Sequence, residues 1–407
     1  MSAEITFIRH GETEANASGV WQGTEDSPLT DDGLTQIDLL AKRHAARPFD
    51  LVVTSNLGRA RQTAAALGGH EVDRRWQELH LGAWEGKTQS EIATTDPASF
   101  AAVGSGKDIA FGGGERVSEM LSRLNGGLDD LVSRLDDGDR AAVVGHGGAL
   151  MTLISHLLGV DTQGKLLRLS NTAQSTFTVR TGAPLQLSVF NDATHLPEPP
   201  VRAEEGATHV VLARHGETVA NVEGRWQGQS EGELTSNGRE QARRLGAHFP
   251  KVDAVFSSPL QRASDTAHLM AESTGAVPTT VPDLQELGFG TWEMRTIDEI
   301  VALDPNGWRD FLAGVDVVRG GSGETFAALT DRVGNAVRIL AGRHDGDSIG
   351  VVSHGAATRA LAAQVLGLDH ANRDRLALLD NAAIALVVFG SRGAALGSWN
   401  LTAHLER

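Results

Sequence analysis

Arg9-His10-Gly11-Glu12-Thr13 is a stretch that occurs twice in this chain, the second time as residues 214–218. Each copy directly follows a short apolar run, at residues 5–8 and 210–213. An apolar run that ends at a glycine-containing break is typical of a parallel strand followed by a loop. Ligands of open α/β sheets bind at the carboxyl ends of the strands, so a histidine there is presented to a ligand. The alternative, a polar strand-to-loop corner, is weakened by the repetition.

Composition favours a globular protein with two cores. The 407 residues are 40% hydrophobic and 22% charged, and the net charge is −16. An acidic balance argues against binding of nucleic acids or anionic membranes, because both need a broad basic surface. The absence of cysteine excludes disulfides, thiolate metal sites and cysteine nucleophiles. Residues 1–4 have no basic leader and no apolar run reaches the length of a membrane span, so we expect a cytoplasmic protein.

A cationic position follows the second predicted strand, at residues 51–54. Ser55 or Asn56 is a suitable N-cap for the helix that opens there, which places Arg59 in the first turn. Backbone N–H groups of a first turn favour an anion. Arg61 lies about 200° around the same helix, so we expect it to face solvent. The remaining periodic segments predict helices over 34–46 and 115–135 and strands over 141–144, 175–179 and 185–190.

Two further chemical groups follow in the first half. Glu78 and Glu85 both lie in a Trp- and Gly-rich segment, and the residues alone leave open which of them serves as a proton donor. His146 stands between glycines at a strand-to-helix junction. A satisfied core histidine is the usual reading of such a residue, but its recurrence in the second half favours a functional one.

The chain is a duplication. A Pro- and charge-rich stretch at residues 197–206 predicts a linker between a domain of residues 1–196 and a domain of residues 207–407. The same motifs return in the same order after it, and the two central histidines, His10 and His215, are 205 residues apart. The other matched pairs are Arg59 with Arg262, Glu78 with Glu286, and His146 with His354.

Phosphoryl transfer suits these groups better than metal chemistry. The histidines lack partners at the fixed local spacings of metal sites, so we predict neither a metal nor another cofactor. A neutral imidazole can attack phosphorus and hold it covalently. Arginines and a protonated second histidine would neutralise the three equatorial oxygens. A glutamate would protonate the leaving alkoxide and then accept a proton from water.

This ordered set of motifs resembles the histidine phosphatase superfamily, which has the phosphoglycerate mutase-like fold. The resemblance covers nearly the whole chain and implies two tandem three-layer α/β/α domains with mostly parallel central sheets. It also implies nucleophiles at His10 and His215, and acid/base groups at Glu78 and Glu286. The implied phosphate pockets consist of Arg9, Arg59 and His146 in the first domain, and of Arg214, Arg262 and His354 in the second. The implied contacts to phosphate or substrate are Asn16, Gln22, Gly23, Asn221, Gln227 and Gly228.

Two departures distinguish the copies. Val20 stands where the second copy has Arg225, so we expect the first site to accept a less anionic or more apolar substrate. Met294-Arg295 replaces Gly86-Lys87, and we expect the loss of that glycine to reshape the mouth of the second pocket. Neither departure removes a catalytic group, so both halves are predicted to be equipped for catalysis.

The leading hypothesis is a metal-independent phosphomonoesterase that acts on a small phosphorylated metabolite. A mutase is the closest alternative, and mutases of this family carry extra basic residues for a second acidic group. The first copy offers only Lys87 and Lys107 for that purpose, whereas the second offers Arg295, Arg309 and Arg319. A second alternative is one catalytic half with a regulatory half that binds a phosphorylated ligand. Specificity is expected to depend on residues 85–115 and 293–323.

Overall fold

The protein folds into two compact units. The computed structural model describes residues 2–160, 164–197 and 203–406. The C-terminal unit consists of residues 164–167 and 203–406, and the other described residues form the N-terminal unit. The predicted linker lies partly outside the described residues, and the predicted domain boundaries stay predictions. Within the described ranges, no helix is both long and apolar enough to cross a membrane.

The N-terminal unit alternates strands and helices. Its described strands are β1 Ser2–Arg9, β2 Leu51–Thr54, β3 Glu71–Val72, β4 Arg140–Gly145, β5 Gln174–Arg180 and β6 Gln186–Asp192. Its described helices are α1 Glu14–Ala17, α2 Asp31–His44, α3 Gly58–Ala65, α4 Gln89–Thr95, α5 Pro97–Gly104, α6 Val117–Ser133 and α7 Gly147–Leu158.

The sheet of this unit is parallel where the site lies. Its strand order is β3-β2-β4-β1-β5-β6. The strands β1, β4, β2 and β3 pair in parallel, whereas β5 pairs antiparallel with β1, and β6 with β5. The carboxyl ends of β1, β4 and β2 therefore meet at one edge of the sheet. Each of the three is followed by a predicted site residue: His10 after β1, His146 after β4, and Arg59 of α3 after β2.

Helices cover both faces of this sheet. Ile8 of β1 packs in one cluster with Leu40 of α2 and with side chains of α3. Phe7 points to the opposite face, where its ring centroid lies 6.1 Å from that of Trp76. Trp76 in turn packs against Gly127 of α6. Because neighbouring side chains of β1 are buried on opposite faces, the unit is a three-layer α/β/α structure, as the resemblance implied.

The C-terminal unit repeats this architecture. Its described strands are β7 Thr208–Arg214, β8 Ala254–Ser257, β9 Thr279–Thr280, β10 Ser348–Ser353, β11 Ile384–Gly390 and β12 Gly393–Leu401. Its described helices are α8 Val219–Val222, α9 Ser236–His248, α10 Gln261–Thr274, α11 Ile297–Leu303, α12 Pro305–Leu312, α13 Phe326–Arg343 and α14 Gly355–Leu366.

The second sheet has the order β12-β11-β7-β10-β8-β9, and β7, β10, β8 and β9 pair in parallel. Leu245 of α9 and Met270 of α10 pack with Val211 on one face. The helices α13 and α14 contact β7. Both units therefore confirm the predicted α/β class with a mostly parallel sheet.

The structure differs from the sequence-based prediction at the N-termini of two helices. The helix α2 begins at Asp31 rather than at residue 34, because Thr30 caps it and its hydroxyl accepts a hydrogen bond from the Gly33 N–H at 2.9 Å. The helix α3 has Leu57 as its N-cap, without a side-chain hydrogen bond. The predicted cap at Ser55 or Asn56 is therefore wrong. Arg59 nevertheless lies in the first turn of α3.

Candidate active site

His10 lies directly beyond the end of β1 and is almost fully buried. Its Nδ1 is 2.7 Å from the carbonyl oxygen of Gly11. A carbonyl only accepts hydrogen bonds, so Nδ1 carries the proton and Nε2 keeps its lone pair. His215 makes the same contact with Gly216 at 2.7 Å. Both rings are thus held in the tautomer that a nucleophile at Nε2 requires.

Arg59 faces this nitrogen from the first turn of α3. Its Nε donates to Nε2 of His10 at 3.3 Å, and Nη2 donates to the carbonyl of Gly23 at 2.8 Å. A further ion pair at 3.1 Å joins it to Asp26. Arg262 of the second unit lies 3.2 Å from His215 in the same way. Arg61 is exposed, as predicted.

Arg9 approaches from the end of β1. Its Nη1 donates to the carbonyl of Leu169 at 2.7 Å, and its guanidinium lies against Gly147 at the start of α7. In the second unit, Arg214 donates to Leu379 at 2.7 Å. Each unit therefore places one guanidinium beside the Nε2 of the first histidine and another beside the N-terminus of a helix, an arrangement that suits a phosphate.

The second histidine is the N-cap residue of α7. His146 is fully buried, and its Nε2 is 2.8 Å from the hydroxyl of Ser55. Its ring centroid lies 5.2 Å from that of His10, and its Nδ1 has no hydrogen-bond partner among the described residues. His354 repeats these contacts with Ser258 and His215.

Burial sets the protonation of both rings. It lowers the pKa of His10 and of His146 well below the usual value of 6.5, and the charge of Arg59 lowers both further. Burial and the charge of Arg262 likewise lower the pKa of His215 and of His354. The protein's own groups thus favour a neutral second histidine before a ligand binds, and the protonated form predicted for the phosphoryl complex stays a prediction. A bound dianion supplies the charge that would favour protonation.

Glu78 lies at the start of α7, and Glu85 does not. The carboxylate of Glu78 accepts from the N–H groups of Gly148 and Ala149, both at 2.8 Å. Glu85 instead accepts from the backbone of Thr24 and Glu25 at 2.8 Å and holds that loop. Geometry therefore places Glu78 next to the histidine pair. Glu286 accepts likewise from Ala356 at 3.1 Å and Ala357 at 3.0 Å.

The polar residues predicted to touch phosphate or substrate lie around the same histidine. Asn16 accepts at 3.0 Å from Asn171, which also donates to the carbonyl of His10 at 3.1 Å. Gln22 accepts from Nη1 of Arg59 at 3.2 Å in the amide orientation that satisfies both its ends. Gly23 admits no side chain, because a Cβ would lie 2.6 Å from the carbonyl of Leu79. In the second unit, Asn221 accepts from Asn381 at 3.1 Å, Gln227 accepts from the hydroxyl of Thr218 at 3.0 Å, and the carbonyl of Gly228 accepts from Arg262 at 2.6 Å.

Three supporting residues of the N-terminal unit were not predicted. Ser55 was considered only as a cap, and Asn171 and Arg123 were not considered. Arg123 pairs with Glu115 at 2.7 Å and donates to the carbonyl of Glu78 at 3.0 Å, which fixes the segment that carries the carboxylate. The available signal was recurrence, because serine, asparagine and arginine return at matched positions in the second copy, as Ser258, Asn381 and Arg332.

The structure shows how the two departures between the copies are accommodated. Arg225 forms ion pairs with Glu223 at 2.7 Å and Glu299 at 2.9 Å, so its charge is already compensated. Met294 has the same left-handed backbone as Gly86, with φ of 57° and 73°. The N–H of Met294 donates to the carbonyl of Trp226, as the N–H of Gly86 donates to the carbonyl of Trp21. The backbone at the mouth is therefore not reshaped.

No group of three or more His, Cys, Asp or Glu side chains that suits a metal ion occurs in the part of the chain that the structure describes. The arrangement in each unit combines an oriented imidazole, two arginines, a second imidazole and a carboxylate on helix N–H groups. These groups can bind a phosphoryl group and transfer it.

Comparison with known proteins agrees with this geometry. The sequence profile of the histidine phosphatase superfamily (branch 1) matches residues 5–192 and again residues 210–402. A metal-independent phosphoserine phosphatase of Arabidopsis thaliana is 34% identical over 212 residues, 51% of this chain and 87% of that protein. A probable phosphoglycerate mutase, GpmB, of Serratia proteamaculans is 35% identical over 207 residues, 48% of this chain and 96% of that protein.

Among solved structures, a phosphoserine phosphatase from Entamoeba histolytica in complex with 3-phosphoglyceric acid is 29% identical. The match covers 49% of this chain and all of that one, with a TM-score of 0.45. The two profile matches and the similarity to the phosphoserine phosphatase of Arabidopsis thaliana establish the family. The protein is thus a phosphatase that belongs to the histidine phosphatase superfamily, branch 1, and it carries the domain of that family twice in tandem.

Proposed function

We propose that each unit hydrolyses small phosphorylated metabolites through its own phosphohistidine intermediate, without a metal ion. The observation that carries this proposal is the fixed tautomer of His10 and His215. In both units Nδ1 donates to a carbonyl, and the unprotonated Nε2 accepts a hydrogen bond from an arginine. Such a nitrogen can attack phosphorus while the arginine binds the oxygens.

In the first step, the Nε2 lone pair of His10 forms a bond to phosphorus, and the bond between phosphorus and the ester oxygen breaks. Arg9, Arg59 and His146 bind the equatorial oxygens, where negative charge accumulates. A protonated Glu78 gives its proton to the departing alkoxide, which leaves as an alcohol. The site then holds a phosphohistidine and a carboxylate.

In the second step, a water molecule attacks the phosphohistidine from the position that the alcohol has left. Glu78 takes a proton from that water, the bond between phosphorus and nitrogen breaks, and inorganic phosphate forms. His10 and the acid form of Glu78 are both restored, so the cycle needs no other reactant. His215, Arg214, Arg262, His354 and Glu286 have the same roles in the C-terminal unit.

The proposal is tested by His10→Ala, His215→Ala and the double variant, assayed with an aryl phosphate and then with a panel of metabolite phosphates. Loss of a nucleophile is expected to reduce turnover at its own site by several orders of magnitude and to leave the other site unchanged. Vanadate should inhibit the chain, and a chelator should not. Activity abolished by the chelator would contradict a metal-independent reaction.

Similarity to the probable phosphoglycerate mutase supports a second candidate, a mutase that returns the phosphoryl group to another hydroxyl of its substrate. Phosphorus NMR with 3-phosphoglycerate separates the two. A phosphatase releases inorganic phosphate, whereas a mutase accumulates the 2-phospho isomer. A third possibility, one regulatory half, predicts that one of the two single variants alone abolishes all turnover.

A further inference from the structure

The two units differ in the charge that lies against the arginine beside the first histidine. In the N-terminal unit, Nη1 of Arg59 is 3.1 Å from the carboxylate of Asp26, whose side chain is 45% exposed. The matching residue of the C-terminal unit is Glu231, which is exposed. Arg262 forms no ion pair with any of the described residues and donates only to carbonyls and to the histidine. One arginine therefore has a counterion within its own unit, and the other does not.

Three other acceptors hold Arg59 in place. Its Nη2 donates to the carbonyl of Gly23 and its Nη1 to that of Glu25, both at 2.8 Å, and its Nε donates to His10 at 3.3 Å. Arg262 donates from the same three nitrogens to the matching acceptors, which are the carbonyls of Gly228 at 2.6 Å and Ser230 at 3.0 Å and the Nε2 of His215 at 3.2 Å. Since Arg262 keeps this placement without an ion pair, Asp26 contributes charge at Arg59 rather than position.

A glycine makes room for the carboxylate of Asp26. Gly58 is the first residue of α3, and its N–H donates to Asp26, as does that of Arg59 at 3.4 Å. A Cβ at position 58 would lie 2.5 Å from Oδ2 of Asp26, so only glycine fits beside this carboxylate. The helix α10 begins instead with Gln261, whose N–H donates to Glu231 at 2.8 Å. The N-terminal unit thus combines a short acid with glycine, and the C-terminal unit combines a longer acid with glutamine.

The electrostatic environment of the two arginines differs accordingly. Burial lowers the pKa of Arg59, Glu78 and Asp26 oppose this shift, and Asp26 does so through both its charge and its hydrogen bond. Burial lowers the pKa of Arg262 to about 10, and Glu231 opposes that shift through its charge, without a hydrogen bond to the guanidinium. A carboxylate in contact with an arginine neutralises part of the positive charge that a phosphate dianion meets, and it also repels the dianion.

We propose that Asp26 weakens the binding of phosphate dianions in the N-terminal unit, so that the product, inorganic phosphate, inhibits this unit less than the C-terminal unit. The inference rests on the proposed function, in which Arg59 and Arg262 bind the equatorial oxygens and each cycle releases phosphate. Asp26 acts through Arg59 and takes no part in the transfer of the phosphoryl group. The N-terminal unit therefore continues to turn over at phosphate concentrations that fill the C-terminal site.

The test measures competitive inhibition of aryl phosphate turnover by inorganic phosphate. Turnover belongs to the N-terminal unit in a His215→Ala chain and to the C-terminal unit in a His10→Ala chain. The inhibition constant should be about threefold to tenfold higher in the first of these chains. Asp26→Asn should lower the constant of that chain by a similar factor. Asp38→Asn makes the same chemical change on the exposed surface of α2 and should leave the constant unchanged.

The direction of the change separates the effect of charge from an effect on position. If Asp26 held Arg59 in place, Asp26→Asn would raise the inhibition constant and reduce kcat. Removal of charge alone lowers the constant, which a loss of structure does not do. In the His10→Ala chain, Glu231→Asp combined with Gln261→Gly should raise the constant, because it installs the short acid and the glycine of the N-terminal unit.

An inhibition constant that stays unchanged or rises in Asp26→Asn would overturn this inference and leave the proposed function intact. Absence of aryl phosphate turnover from either single-nucleophile chain would instead overturn the proposed function of the remaining unit. Calorimetric titration of the parent chain with inorganic phosphate then tests the inference without turnover. Two different affinities that converge in Asp26→Asn would support it, and equal affinities in the parent chain would overturn it.

Discussion

At the scale of single residues, the site depends on side chains that never touch the phosphoryl group in the proposed mechanism. Ser55 is one of them, because its hydroxyl is the hydrogen-bond partner of the buried Nε2 of His146 at 2.8 Å. Removing it leaves a buried nitrogen unpaired and the ring free to rotate. The lost hydrogen bond corresponds to about 1–3 kcal/mol.

Ser55→Ala is therefore expected to reduce kcat of the N-terminal unit by about fivefold to a hundredfold, measured in a His215→Ala chain with an aryl phosphate. Ser18→Ala removes an exposed hydroxyl of the same unit and is the matched control. Equal rates for the two variants would show that Ser55 does not hold the ring in a catalytic orientation.

Buried histidines also connect the site to acid stability. The folded-state pKa of His10 and of His215 lies well below 6.5, so below that pH the unfolded chain binds protons that the folded chain does not. Stability therefore rises with pH through this range and falls on acidification. Replacing both by Gln should reduce the loss of unfolding free energy between pH 7.5 and 5.5.

The reduction is expected to be about 1.4 kcal/mol for each histidine replaced. Urea unfolding at the two pH values measures it, and the same replacement at exposed His80 is the control. A pH dependence as steep in the double variant as in the parent chain would contradict the assignment of neutral rings.

At the scale of elements, backbone conformation decides whether a glycine stabilises or destabilises the fold. Gly86 has a φ of 73°, whereas Gly126 lies inside α6 with nothing within 4 Å of its potential Cβ. Gly86→Ala is expected to destabilise the N-terminal unit by about 1–2 kcal/mol. Gly126→Ala should stabilise it by about 0.5–1 kcal/mol, because alanine favours a helix interior. Chemical denaturation measures the change in unfolding free energy for each variant. Changes of the same sign in both variants would contradict this account.

At the scale of the whole molecule, duplication predicts a stoichiometry. Acid-free quenching of the chain during turnover of a labelled phosphomonoester should trap up to two phosphoryl groups per chain. His10→Ala and His215→Ala should each trap at most one, and the double variant none. A parent chain that never exceeds one group would indicate that only one unit forms the intermediate.

The sequence predicted the fold class, and it predicted that the candidate site residues meet at one edge of each sheet, because duplicated strand-end motifs restrict the possible topologies. Parallel strands bring residues such as His10 and His146 to one edge, whatever the details of the loops. Hydrogen bonds between residues far apart in the sequence were not predictable. Ser55 contacts His146, which lies 91 residues away, and no local pattern encodes that pairing.

The protonation of His146 in the protein without a ligand was also not predictable. Complete burial next to Arg59 lowers its pKa, and burial depends on the packed structure rather than on neighbouring residues in the sequence. The residues alone left Glu78 and Glu85 open as candidates, and the family resemblance favoured Glu78. The structure places Glu78, and not Glu85, at the N-terminus of α7.

In the proposed mechanism, the bond between Nδ1 of His10 and the carbonyl of Gly11 also determines which chemical isomer of phosphohistidine forms. With Nδ1 occupied, the phosphoryl group can attach only at the nitrogen farther from the backbone, which gives the tele isomer. That linkage hydrolyses in acid and survives in base. An antibody raised against the tele isomer should therefore recognise the trapped chain in alkaline gels, and one raised against the pros isomer should not.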